Sequence, residues 1–137
     1  MPFYRDAATF YDVMTELFEK VMAQPDGMQP LSDAKVVLRL VITAPQAQLT
    51  LDSRANPPRF LKGPTGIERA DVGLRMPADV LHDTFLGKVR LRDAYLSGKI
   101  KLDSSPLRAL GLLGDLTDLF HHMESLYPQV LRQRGLL

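Results

Sequence analysis

The sequence predicts an α+β fold: a single five-stranded, mostly antiparallel sheet with helices covering one face. Three observations predict it. Apolar residues recur at three- and four-residue steps near both ends of the chain, they alternate with polar residues through its middle, and nearly all the alternating segments are apolar on one side only. The helices must pack on the side that has apolar residues to receive them, which disfavours a doubly wound parallel sheet. With 137 residues, 45% of them apolar, the chain reads as one domain over 1–137.

The first element is a helix from Asp6 to Ala23, where Phe10, Val13, Met14, Leu17, Phe18 and Val21 fall at helical steps between Asp12, Glu16, Glu19 and Lys20. Asp26-Gly27 and Pro30 read as a loop, after which the period changes. In Val36 to Thr43, Leu38, Leu40 and Ile42 alternate with Val37, Arg39 and Val41; in Ala47 to Asp52, Ala47, Leu49 and Leu51 alternate with Gln48, Thr50 and Asp52. These are two strands joined at Pro45-Gln46. Turn residues from Ser53 to Pro58 lead to a short third strand near Arg59 to Lys62. Gly63-Pro64-Thr65-Gly66 is a turn before a fourth strand, Ala70 to Met76, which sets Val72, Leu74 and Met76 against Asp71, Gly73 and Arg75.

Pro77 suits a first helical position, and Val80, Leu81, Thr84 and Phe85 form one face of a short helix ended by Gly87. A second short helix runs from Arg90 to Leu96 and stops at Gly98, and Lys99-Ile100-Lys101-Leu102 alternates as a fifth strand. Pro106 opens a helix through about Leu113, and Asp115 caps another that carries Leu116, Leu119, Phe120 and Met123 on one side. Pro128 ends it, leaving 126–137 as a frayed tail.

Composition removes several classes of function. The formal net charge of +1 gives no long-range pull toward nucleic acid, and the sheet lacks the paired aromatics of an RNA-binding surface. Without cysteine there is no disulfide, thiolate nucleophile or thiolate metal ligand, which fits a reducing compartment. No apolar run reaches the roughly 20 residues needed to span a bilayer. Neither the start, Met-Pro-Phe-Tyr-Arg-Asp, nor the end, Arg-Gly-Leu-Leu, carries a targeting signal, so the expected location is cytoplasmic. Adjacent His121 and His122 diverge by about 100° on a helix, and His121 with Glu124 is a weak ligand pair, so no metal or other cofactor is expected. His82, Asp83 and Ser97 have no triad spacing, and Gly63-Pro64-Thr65-Gly66 lacks the Lys-Ser/Thr of a phosphate loop.

One stretch has a recognisable order of parts. Asp71-Val72-Gly73-Leu74-Arg75-Met76, a short helix from Pro77 to Leu86, Gly87-Lys88, then Ala94-Tyr95-Leu96-Ser97-Gly98-Lys99-Ile100-Lys101-Leu102 and the leucine-rich Leu107 to Leu113 together resemble the sterol carrier protein 2 (SCP-2) family of lipid-binding domains. The family usually follows its last strand with an acidic or glycine-containing turn, where this chain has Asp103-Ser104-Ser105-Pro106. The resemblance implies a five-stranded sheet with helices on one face, a tunnel for sterols, fatty acyl groups or phospholipids between the layers, and no catalysis by the domain itself.

A lipid tunnel needs apolar side chains, preferably unbranched and adaptable, that leave space between them. The candidate lining is Met14, Leu17 and Phe18 on the first helix, Leu40 and Leu51 on the sheet, Leu74 and Met76 on the fourth strand, Phe85 and Tyr95 on the short helices, and Leu110, Leu113, Leu116 and Phe120 near the end. The same stripes also describe an ordinary filled core. Gly111 and Gly114 interrupt the segment from Leu107 to Met123, which reads either as a hinged lid or as a tight corner that needs Gly114. Arg39, Arg75, Lys99 and Lys101 face away from the core; under the family's strand order they form one basic patch for transient contact with an anionic membrane. Val37 and Val41 also point outward and suit a homodimer or a partner enzyme. The expected function is binding and transfer of an apolar lipid. The alternative is an accessory subunit that presents a lipid or quinone intermediate to a partner enzyme complex.

Overall fold

The computed structural model describes residues 2–67 and 69–137. Helix α1 (Ala7–Ala23) starts where the Asp6 carboxylate accepts the Thr9 amide at 2.7 Å, a bond that also holds this carboxyl below its usual pKa. The six apolar residues of its stripe are all buried. At Gly27 the chain passes so close that a Cβ would stand 2.2 Å from the Val21 carbonyl oxygen, so only glycine fits.

The Pro30 segment, expected as loop, forms helix α2 (Gln29–Ala34) with Pro30 in its first turn and Leu31 as its buried side chain. Six residues are too few to display a helical period.

Strands β1 (Val37–Thr43), β2 (Gln46–Asp52), β3 (Arg59–Lys62), β4 (Val72–Met76) and β5 (Lys101–Leu102) make one sheet in the order β3-β2-β1-β4-β5. Only β1 with β4 is parallel; the other pairings are antiparallel. The register puts Leu38, Leu40 and Ile42 beside Leu51, Leu49 and Ala47 on one flank and beside Val72, Leu74 and Met76 on the other. The result is a grid of nine apolar side chains on one face, all buried. β5 is shorter than the expected Lys99–Leu102, because the Lys99 and Ile100 amides both bond to the Ala94 carbonyl and close a turn.

Four helices after β4 or β5 cover this face: α3 (Ala78–Phe85), α4 (Leu91–Leu96), α5 (Pro106–Gly111) and α6 (Leu113–Gln133). α6 begins before Asp115, which lies in its first turn rather than at its cap. It also runs through Pro128, and the expected frayed tail is helical as far as Gln133. Proline removes one backbone hydrogen bond, but Leu126, Tyr127, Val130 and Leu131 on both sides of it are buried, and Arg134 pairs with Glu16 of α1 at 2.9 Å. Packing on α1 overrides the local breaker.

The N-terminal residues are fastened to the same helices. Phe3 donates its amide to Asp79 at 2.9 Å and stacks on the His82 ring with centroids 3.9 Å apart.

The outer face of the sheet corrects two expectations. Val37 lies outside the core cluster yet is only 1% exposed, and its backbone bonds both ways with Asp71: amide to carboxylate and carbonyl to amide, each at 2.8 Å. It is thus not available to a partner chain, and Val41 is half-buried. The proposed basic patch is also broken, since Arg39 donates to the Ile67 carbonyl and Arg75 pairs with Asp103 at 2.9 Å. Lys99 and Lys101 remain exposed.

Candidate functional site

Two cavities lie between the sheet and the helices. The larger, about 250 Å³, sits under α4, α5 and the start of α6. Its floor is Leu74, Ile100 and Leu102; Leu91 and Tyr95 of α4 form one wall, and Pro106, Ala109, Leu110, Leu113 and Leu116 form the cover. The smaller, about 40 Å³, lies between α1, β1 to β3 and α6.

The thirteen residues expected to line one tunnel divide between them. Leu74, Tyr95, Leu110, Leu113 and Leu116 line the large cavity. Met14, Leu17, Phe18, Leu40, Leu51, Phe85 and Phe120 surround the small one, where little beyond core packing is left. Met76 borders neither and is fully buried.

The dividing wall is thin. Leu40 and Leu74 are register partners on adjacent strands yet belong to different cavities, and so do Leu116 and Phe120, one turn apart on α6. Phe120 is held edge-on to Phe85 at a centroid distance of 5.1 Å, which keeps the wall closed on the small-cavity side.

The cover is weakly anchored. α5 contributes no buried side chain, and no side chain caps its first turn. A Cβ at Gly111 or Gly114 would meet nothing within 4 Å, and neither residue has the positive φ that favours glycine, so packing does not require glycine at that corner. This removes the tight-corner explanation of Gly114.

The chemistry of the large cavity is that of a container. Its lining is apolar except for the Arg92 side chain and the Tyr95 hydroxyl, both on α4, where Tyr95 is 45% and Leu110 67% exposed. Arg92 has no ion-pair partner among the described residues. Sequence reasoning missed Leu91, Arg92, Ile100, Leu102, Pro106 and Ala109 as lining. The alternation of Ile100 with Leu102 was the available signal for two of them.

Elsewhere His121 lies 3.7 Å from Glu124, and the described residues contain no group of three or more metal-ligand side chains. No helix among them is long and apolar enough to cross a membrane.

No curated protein sequence matches the chain. Among solved structures, a crystal structure of sterol carrier protein 2 superposes with a TM-score of 0.61 at 14% identity, over 82% of this chain and 94% of the other. The solution structure of palmitated SCP2L2 from Aedes aegypti gives 0.56 at 19% identity, over 80% and 92%. The chain spans only 14% and 12% of the length of two structures of the sec-alkylsulfatase Pisa1, the latter from Pseudomonas sp., at TM-scores of 0.48 and 0.47. The first two likenesses show a shared fold. The model of the SCP-2 sterol transfer family matches residues 15–106, which hold the whole sheet, α2, α3, α4 and the floor of the large cavity. The chain belongs to the SCP-2 sterol transfer family.

Proposed function

We propose that the protein is a non-catalytic lipid carrier that holds an acyl chain in the cavity beneath α5, with Arg92 and Tyr95 at the head of the ligand. Membership of a sterol transfer family supports lipid binding in general. The observation that carries the specific reading is a cavity of about 250 Å³ roofed in part by α5, a helix with no buried side chain. That volume lies below the roughly 300 Å³ at which small-molecule sites begin, so a slender chain suits it better than a rigid ring system. Each methylene moved from water into the cavity contributes about 0.8 kcal/mol, with no directional contact needed along the chain. The palmitated Aedes aegypti protein provides a relative of the same fold that carries such a ligand. The reading as a subunit presenting a lipid or quinone intermediate loses its proposed surface, since Val37 is buried within the chain.

The test is native mass spectrometry with added palmitate, on the wild type and on Ala109→Phe, which places a ring in the cavity from the exposed lid. One palmitate per chain in the wild type and none in the folded variant is the expected result. Equal uptake by both would move the ligand elsewhere, and no uptake by the wild type would overturn the reading.

A further inference from the structure

We infer that the α4–α5 surface around the cavity mouth docks on an anionic lipid bilayer, so that the cavity opens against the membrane itself. Among the described residues the exposed large apolar side chains number six; two are the terminal Leu136 and Leu137, and the other four are Tyr95, Leu96, Leu107 and Leu110 on α4 and α5. Tyr95 and Leu110 line the cavity, which accounts for them. Leu96 and Leu107 do not line it, and they are 68% and 79% exposed. Nothing inside the molecule explains two leucines held in water beside an apolar opening, whereas insertion below lipid headgroups does.

The charge beside them is complementary to one kind of surface. Residues 88–102 hold five cations, Lys88, Arg90, Arg92, Lys99 and Lys101, against the single anion Asp93, although the whole chain has a formal net charge of only +1. None of the five has an ion-pair partner among the described residues, in contrast to Arg75 and Arg108, which pair with Asp103 and Asp71. Long cationic side chains flanking isolated apolar ones match a headgroup layer, where the stems lie along the apolar boundary and the charges meet phosphate. A second protein would instead need a shaped, contiguous patch. The cations expected from sequence to face a membrane thus divide: Lys99 and Lys101 belong to this surface, while Arg39 and Arg75 are engaged on the outer face of the sheet.

This inference rests on the carrier reading, since a mouth against a bilayer matters only if the cavity takes lipid. The experiment separates the two. Cosedimentation with vesicles of phosphatidylcholine alone and with phosphatidylglycerol added is compared for the wild type, Leu96→Ser/Leu107→Ser and Lys99→Glu/Lys101→Glu, and palmitate uptake in solution is measured on the same samples. The wild type is expected to bind the phosphatidylglycerol vesicles and to be released by salt. Each double variant is expected to lose at least tenfold in partitioning while its palmitate uptake is unchanged. Wild-type protein that ignores anionic vesicles, or variants that bind as well as it does, would overturn the docking surface even if palmitate uptake is normal. A dimer in solution that Leu96→Ser/Leu107→Ser abolishes, without vesicle binding, would assign the leucines to a second copy and overturn it too. Vesicle binding with the expected variant losses but no palmitate uptake would sink the carrier reading and leave the docking surface standing.

Discussion

The hydroxyls of Tyr4 and Tyr127, 123 residues apart in sequence, share a hydrogen bond of 2.7 Å in the core. Tyr127 also lies 2.6 Å from Nδ1 of His82, so one buried chain of polar atoms joins the N-terminal segment, α3 and α6. Burial pushes both phenols well above their usual pKa, so both stay protonated. In the neutral tautomer of His82 that carries its proton on Nε2, the donors run in one direction: Tyr4 to Tyr127, and Tyr127 to Nδ1.

Tyr127→Phe removes the middle of that chain and strands the hydroxyl of Tyr4, a residue only 2% exposed. The expected loss of unfolding free energy is about 1–3 kcal/mol, read by urea denaturation. Tyr4→Phe combined with Tyr127→Phe should cost less than the sum of the single changes, because the double variant leaves fewer orphaned groups. Strict additivity would show that the bond does not couple the two residues.

Stability should fall on mild acidification. Burial depresses the His82 pKa, Asp83 and Asp79 oppose that shift, and Lys88 adds to it. The unfolded chain, with a histidine pKa of about 6.5, therefore binds a proton more readily than the folded one. Its contribution is complete above that value and is lost as the pH drops through the lower folded value. A protonated ring would also reverse the donor direction and leave the Tyr4 hydrogen without an acceptor. Urea midpoints between about pH 8 and pH 5 should decline for the wild type and decline less for His82→Phe, with the carboxylates still ionised over most of that range. Parallel slopes would exclude His82 as the group concerned.

The lid is accessible through its glycines. Since a Cβ at Gly111 or Gly114 meets nothing, alanine at either position should stabilise by up to about 1 kcal/mol through helix propensity. If α5 must swing to admit a ligand, the double alanine variant should also release palmitate more slowly, measured by transfer to acceptor vesicles. Higher stability with an unchanged release rate would place the moving part elsewhere.

Arg92→Ala should weaken palmitate binding by up to about fivefold, the range of an exposed charge pair, and leave the matching alcohol, hexadecanol, unaffected. A fluorescence displacement titration distinguishes the two ligands. Equal loss for acid and alcohol would mean that the Arg92 stem packs on the chain and its charge is not used.

The sheet was legible because a strand with one wet face writes its burial into every second residue, as Leu38, Leu40 and Ile42 do. α2 was not, since one buried leucine has no period. The end of α6 was misread because Pro128 is a strong local signal, while the packing of Tyr127, Val130 and Leu131 that outweighs it is tertiary. The site was half legible for a related reason. Alternation reveals that Leu40 and Leu74 face the layer between sheet and helices, yet these adjacent leucines border spaces of about 40 and 250 Å³. Side-chain direction follows from sequence; how much room lies beyond the side chain depends on where the helices opposite come to rest.

The absence of buried side chains on α5 has an evolutionary reading. A segment that buries no side chain is loosely constrained by the fold, so Ala109 and Leu110, its side chains that line the cavity, are positions where substitutions alter what is admitted with little effect on melting temperature. Selection, natural or in a library randomised over those two positions, could retune ligand preference there without first accumulating stabilising changes elsewhere.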